Sequence, residues 1–481
     1  MPNSTDVADA LEVLLDSALE PIVEVVLVRD GDALEAHAPD GSVRFDREGS
    51  VLSTQGRNPL ADQATDRFAG LASERASLQP DRRSNSYPFA YEQATQLFDH
   101  PSAPDLCVIH TAAHNWEDQG GHRGEHGSID VVQARAPFII AGAGVRPTGT
   151  VERAAKLVDV VPTVLALMGA APPLESDGSV LDDVLLANGT VPEHVVGFLW
   201  DGCNPNVLYD AVANGDAPNV GRLMAMGTTF AHGAMASLPT VTLANHTAVL
   251  TGLHPGHHGI LHNAWWDRND LRQVITNSPA TWHEASSWLF PGVETIHDAV
   301  HRTWPDASTV SINEPTDAGA DFSTFDYVRR GVPLERPPAP DELPNSDQRF
   351  VRPVKEYRWS SRVDHTTVQQ FTGVWSGQYM GSDWPRPKFT WCNFSLTDAA
   401  FHEGGPHSEI ALASIRDSDA RLGQILDVVE RSGAWDRTAF FLVADHGMEE
   451  TNPAVTGDWS PALTEAGIAH RDEAFGFVYL T

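Results

Sequence analysis

A chain of 481 residues that is 41% hydrophobic has the make-up of a globular protein with roughly two to three domains' worth of core. Its formal charge of -33 argues against binding nucleic-acid polymers or anionic membranes, since both need basic patches. No apolar run nears the ~18 residues of a membrane span, and the acidic start MPNSTDVADALEVLLDSALE lacks the basic and apolar regions of a signal peptide, so a cytoplasmic location is expected.

Val23-Glu24-Val25-Val26-Leu27-Val28 reads as a strand that breaks at Asp30-Gly31, with Ser42–Phe45 as its hairpin partner. Residues 52–100 carry little signal. Leu106–His110 is a second strand, followed by a His- and Gly-rich loop over 110–127. Pro137–Gly142 is a strand ending in glycine, and an amphipathic helix near 157–168 stops at Gly169. Asn188–Pro192 is a turn-rich joint. Beyond it, His194–Trp200 is a strand that delivers Asp201 at its carboxyl end, and residues 216–226 form a helix with proline in its first turn.

Residues 265–391 hold nine of the thirteen tryptophans and few periodic runs, which suggests an inserted cap. Phe389–Leu396 then reads as a strand into Asp398, 408–431 as a long helix, Ala439–Ala444 as a strand into Asp445, and 475–480 as a last apolar run. Strands alternating with helices predict an α/β fold with a mostly parallel sheet.

Several motifs end on groups that bind hard or borderline metals. Asp445-His446-Gly447-Met448, Asp201-Gly202, Thr242-Leu243-Ala244-Asn245-His246, Asp398-x-x-x-His402 and Gly124-Glu125-His126-Gly127 together offer, besides His246, three Asp, three His and a Thr hydroxyl. Two cations about 3.5–4 Å apart supply the charge that phosphoryl transfer needs. Carboxylate oxygens with imidazole nitrogens suit zinc and also accept manganese or iron. The scattered Cys107, Cys203 and Cys392 form no metal or disulfide motif.

This ensemble resembles the alkaline phosphatase superfamily, and within it the type I phosphodiesterase/nucleotide pyrophosphatase branch. The likeness runs through Asp201-Gly202, Pro239–His246, Thr251-Gly252, Pro255, His258-Gly259-Ile260 and Asn263. It resumes at Thr397–His402 and Ala444–Met448. It implies an alkaline phosphatase-like core with an inserted cap, and a phosphoester hydrolase with two divalent metals. Asp201, Thr242, Asp445 and His446 would bind one metal, and Asp398, His402 and His126 the other. Thr242 would be the nucleophile of a double displacement through a phosphothreonine. Asn245 would donate to a nonbridging phosphate oxygen beside the Thr242 backbone N–H. The partner implied is a small-molecule phosphoester.

The third histidine is out of order. In the family it follows the Asp-His-Gly element, whereas here Gly124-Glu125-His126-Gly127, Ala136–Val145 and Val158–Thr163 carry the closing part of the pattern near the start. A circular permutation accounts for this. Residues 1–185 would be the displaced closing part of the core, 186–193 the joint, 194–264 and 390–481 the rest of the core, and 265–389 the cap. The rival reading, a tandem relic, would leave the second metal with only Asp398 and His402.

Singly, His246 reads as packing beneath the site, His258 as shaping its loop, and His407 and Glu403 as outer support for His402. Leu243 stands where nucleotide-specific members carry an aromatic, and Ala244 where a proline is typical. Trp265, Trp266 and Tyr379 are substitute aromatic walls. The alternatives to a phosphodiesterase are a phosphonate hydrolase, a phosphomonoesterase gripping the extra charge with Lys355, Arg358, Arg362, Arg386 or Lys388, and a non-catalytic phosphoester-binding protein.

Overall fold

The computed structural model describes residues 4–116, 122–187, 189–331, 355–474 and 476–481. Asn188 of the joint, Phe475, residues 117–121 of the His-rich loop and 332–354 of the expected cap lie outside the described residues.

The site is carried by an eight-stranded sheet. Its strands in chain order are β1 (Phe138–Gly142), β2 (Gly149–Val151), β3 (His194–Trp200), β4 (Gly227–Phe230), β5 (Thr309–Ile312), β6 (Phe322–Ser323), β7 (Phe389–Phe394) and β8 (Thr438–Val443). They lie in the order β6-β5-β7-β3-β8-β1-β4-β2. Every pairing is parallel except those of β1, which runs against both β8 and β4. The mostly parallel α/β fold is therefore the one observed.

The central strands are apolar along their whole length because both faces are covered. β3, β7 and β8 are buried at every residue. Helices α1 (Val160–Met168), α2 (Thr242–Thr251), α3 (Lys355–Trp375), α4 (Leu396–Gly404) and α5 (Glu409–Arg431) flank the sheet. Gly169 ends α1 in the left-handed region, as its position predicts.

The parallel register decides where the site forms. Trp200 lies opposite Phe394, and Leu199 opposite Val443, so the three strands end level. The acidic residues that follow them emerge at one edge, the carboxyl edge where open α/β sheets collect ligands.

Three expectations are corrected. Residues 309–312 and 322–323 are not part of a separate cap but edge strands of the central sheet. The same stretch holds the 21-residue α3, whose Val368, Phe371, Val374 and Trp375 are buried. Its apolar stripe fills only the second half of the helix, so periodicity missed it. Third, Val23–Asp30, Leu106–His110 and Phe477–Leu480 do not join the core sheet. They form a second, antiparallel sheet of seven strands. In that sheet Ser42–Phe45 pairs with Ala33–Ala38 rather than with Val23–Asp30, because the turn at Gly31-Asp32 returns the chain at once.

Candidate metal centre

Asp201 follows β3 directly, and its N–H donates to Phe394 O at 2.9 Å. Asp445 follows β8 by one residue, and its Oδ1 accepts Gly202 N–H at 3.0 Å. Asp398 sits in the first turn of α4, whose start is capped by Asp364 accepting from Ser395 and Leu396 N–H. One turn further on, His402 faces the same way. Gly202 holds φ +62, and a Cβ there would lie 2.7 Å from Asp398 Oδ1, so this position admits only glycine.

His126 arrives by a route of its own. Gly124–Glu125 pairs antiparallel with Glu449–Glu450, just beyond Asp445-His446. Gly447 N–H donates to Gln133 O at 2.7 Å, and a Cβ on Gly447 would stand 2.2 Å from Val132 O. The segment around His126 is thus laced to the strand end that carries His446. The two rings stack, with centroids 3.7 Å apart and planes 16° from parallel.

The imidazoles share one arrangement. Nδ1 of His126, His402 and His446 each donates to a backbone carbonyl, of Thr240, Gly124 and Gly447, at 2.8, 2.8 and 2.9 Å. That turns the Nε2 edge of each ring towards the others and the carboxylates, the edge through which such a ring would ligate a metal. His126 Nε2 is 3.1 Å from His402 Nε2 and 3.8 Å from Asp398 Oδ1, and His402 Nε2 is 3.3 Å from the same oxygen. His446 Nε2 is 3.1 Å from Asp445 Oδ2 and 3.8 Å from Asp201 Oδ1. Ligand atoms about 2.0–2.2 Å from a tetrahedral cation stand about 3.3–3.6 Å apart, the middle of this range.

Asp201 Oδ1, Asp398 Oδ1, Asp445 Oδ2 and His446 Nε2 are buried without a hydrogen-bond partner. Unsatisfied carboxylate and imidazole atoms crowded in a buried place fit divalent cations. The ligand atoms gather into His126–Asp398–His446, Asp201–His246–Asp445 and His122–Glu125–His402. His246, His122 and Glu125 thus lie among the candidate ligand atoms besides the expected residues.

Electrostatics follow the same geometry. Burial lifts the Asp201 carboxyl to about 8, and the neighbouring Asp445 and Asp398 carboxylates add to the rise. At Asp445 burial acts upward too, but His446 and His246 outweigh it and hold the group at about 2. His402 is driven up to about 10, against burial, by Asp398, and His446 to about 9 by Asp445. Burial, reinforced by His446 and His402, keeps His126 well below its ordinary value. Facing nitrogens 3.1 Å apart do not both hold a proton.

Thr242 opens α2. His246 follows it by four residues on the same helix face, and its Nε2 is 3.6 Å from Asp201 Oδ2. Thr242 accordingly shares the helix face of His246, at the positive end of a ten-residue helix.

Asn245 is corrected. It is fully buried, its Nδ2 lies 3.0, 2.8 and 3.3 Å from the Ser237, Pro239 and Val241 carbonyls, and its Oδ1 accepts Ser237 N–H. No donor is left for a phosphate, so Asn245 is a brace for the loop before Thr242. Asn263 is the amide beside the site: its Oδ1 accepts Leu243 N–H at 2.9 Å, and among the described residues its Nδ2 has no protein acceptor. Asn245→Ala is expected to cost about 3 kcal/mol in stability. Asn263→Ala should leave thermal unfolding near wild type but lower kcat about 10²-fold. Melting curves and steady-state rates of the two variants check this; the reverse pattern would restore the original assignment.

His258, His114 and His407 have structural partners. His258 Nε2 meets Ala244 O at 3.0 Å, and His114 Nε2 meets Gly457 O at 2.9 Å. His407 bridges Glu450 and Glu74. None of the proposed aromatic walls is free. Trp265 is buried, Arg471 covers the Trp266 ring at 3.7 Å, and Tyr379 packs on Phe322. Leu243 is likewise buried in core.

The family model of type I phosphodiesterase/nucleotide pyrophosphatase matches residues 195–481, well over half of the chain. The chain belongs to this family. Its members are phosphoric ester hydrolases. His126 lies outside the matched residues.

Among curated relatives, venom phosphodiesterase 2 of Crotalus adamanteus is 25% identical over 238 residues, 48% of this chain and 24% of that protein. Ectonucleotide pyrophosphatase/phosphodiesterase family member 3 of Mus musculus is 24% identical over 240 residues, 49% and 23% of the two chains. This chain thus matches about a quarter of the length of those relatives. Among solved structures, murine ectonucleotide pyrophosphatase/phosphodiesterase 5 gives a TM-score of 0.36 at 16% identity, covering 53% of this chain and 57% of that one. Phosphonoacetate hydrolase from Sinorhizobium meliloti 1021 gives 0.33 at 19% identity, covering 55% and 59%.

Proposed function

We propose that this family member is a metal-dependent phosphodiesterase of the nucleotide pyrophosphatase type, with Thr242 as nucleophile and two zinc ions as cofactors. The observation that carries this is the set of imidazoles with Nδ1 spent on carbonyls and Nε2 facing unpartnered carboxylate oxygens, beneath the helix end that bears Thr242. When bound, the cations supply the positive charge that phosphoryl transfer requires. Asp201, Asp445 and His446 hold one of them beside Thr242, and Asp398, His402 and His126 hold the other. The donor set also admits manganese or iron. Thr242 attacks phosphorus as the ester P–O bond breaks and the alcohol leaves, the α2 terminus and the Asn263 amide receive the nonbridging oxygens, and water then cleaves the phosphothreonine and restores the Thr242 hydroxyl.

Two of the five basic candidates for gripping a monoester, Arg386 and Lys388, favour a diester instead. Arg386 and Lys388 precede β7, at the edge of the sheet opposite the carboxylates, about 20 Å away over six strand residues. Lys388 is moreover drawn onto the Trp304 ring at 4.0 Å. Neither is positioned to bind the second negative charge of a monoester. The order of the pieces, with His126 ahead of the rest, is what a circular permutation produces, and the lacing of Gly124–Glu125 to Glu449–Glu450 supports it.

The test is a panel of nitrophenyl phosphate diester, nitrophenyl phosphate monoester and a phosphonate, assayed with zinc. At least tenfold higher kcat/KM for the diester is expected. Preference for the monoester or phosphonate would overturn the substrate class, and absence of turnover on all three would favour a binding protein.

A further inference from the structure

His246 and Glu314 have no part in the expected ligand set, yet they are built like one of its members. His246 is 1% exposed, and its Nδ1 lies 2.9 Å from Glu314 Oε2. Glu314 is fully buried and itself fixed: the same Oε2 accepts Trp391 Nε1–H at 2.9 Å, and Oε1 accepts Thr316 N–H at 3.0 Å. A ring that donates Nδ1–H to such a carboxylate presents its Nε2 lone pair on the other side.

That Nε2 lies 3.6 Å from Asp201 Oδ2 and 3.5 Å from Asp445 Oδ2. Both distances exceed a hydrogen bond. Nε2 and Asp445 Oδ2 are each buried with no hydrogen-bond partner. The spacing matches the edge of a tetrahedron about a cation, where ligands at about 2.0–2.2 Å stand about 3.3–3.6 Å apart. The three ligand atoms lie within 4.8 Å of one another.

We propose that His246 is a direct ligand of the cation held by Asp201 and Asp445, and that Glu314 is the positioning residue that fixes its tautomer. This rests on the metal-dependent reading above. The rival is an imidazolium that merely neutralises the two carboxylates. A ligand and a counter-ion differ in what their removal does to the metal. Losing a ligand weakens cation binding, whereas losing a competing positive charge strengthens it.

The test uses the full chain loaded with Co2+, following metal per chain, affinity by chelator competition and the visible absorption of the bound ion. Wild type is expected to hold two Co2+. His246→Gln should bind one of them at least tenfold more weakly and lose part of the visible band. Glu314→Gln, which keeps the volume and an acceptor for Nδ1, should hold two with one weakened about tenfold. Unchanged or tighter binding with an unchanged spectrum in His246→Gln, beside two Co2+ in wild type, would overturn the ligand assignment alone. Wild type that binds no Co2+ would overturn it together with the metal-dependent reading. If His246→Gln does not fold, the same affinity and spectrum are read in Glu314→Gln, where wild-type values would sink the proposal.

Discussion

Thr242→Ala is expected to abolish hydrolysis, lowering kcat by about 10⁴-fold or more, while the protein still folds and keeps its metal. The direction follows from the position of Thr242 at the first turn of α2, only half-buried, so that losing its hydroxyl leaves no cavity. The magnitude is that of removing a nucleophile from a group of residues that act as a unit. Asp201, Asp445 and His446, the proposed ligands of the first metal, are left in place. Metal analysis beside a diester assay checks the outcome, and full activity in the variant would remove Thr242 from the nucleophile role.

His126→Ala should have the second largest effect. His126 Nε2 sits within 3.8 Å of both Asp398 Oδ1 and His402 Nε2. Without it the second site keeps two of three expected ligands. Metal content should fall from two towards one per chain, and kcat/KM by about 10²-fold or more. The experiment also probes the proposed permutation, because His126 lies outside the family-matched residues 195–481. Two metals retained at wild-type affinity would mean that His126 is not a ligand and that the early segment is not the missing part of the core.

Much of this was legible in residue order. Long apolar runs marked β3, β7 and β8, since a strand buried on both faces has no polar alternation to disguise it. The carboxylates beyond those runs were therefore recognisable as candidate site residues. The His402 spacing from Asp398 is one helical turn, which sequence displays directly. The edge strands at 309–312 and 322–323 are only four and two residues long, too short to show a period, and so they passed for cap. The stripe of α3 is confined to one half of the helix.

The two asparagines show why side-chain roles were harder. Asn245 lies three residues from Thr242 and was the natural choice for binding phosphate. Its direction depends on carbonyls at 237, 239 and 241, a local loop geometry no motif encodes. Asn263 was visible in the pattern, but nothing in a string of letters says that its oxygen meets Leu243 N–H. His246 had a signal, its four-residue spacing from Thr242, whereas Glu314 had none, being 68 residues further along the chain.

The sequence by itself determined the family, the α/β class and the inventory of three carboxylates, three imidazoles and a hydroxyl, because these depend on residue type and local spacing. Only the tertiary structure decided which of them meet. Level strand ends bring residues 201, 398 and 445 to one edge, and antiparallel pairing at 124–125 with 449–450 brings in His126 across 323 positions of chain (449 − 126). Long-range register is set by packing and hydrogen bonding between distant segments, and a one-dimensional pattern carries no record of which distant partner each segment finds.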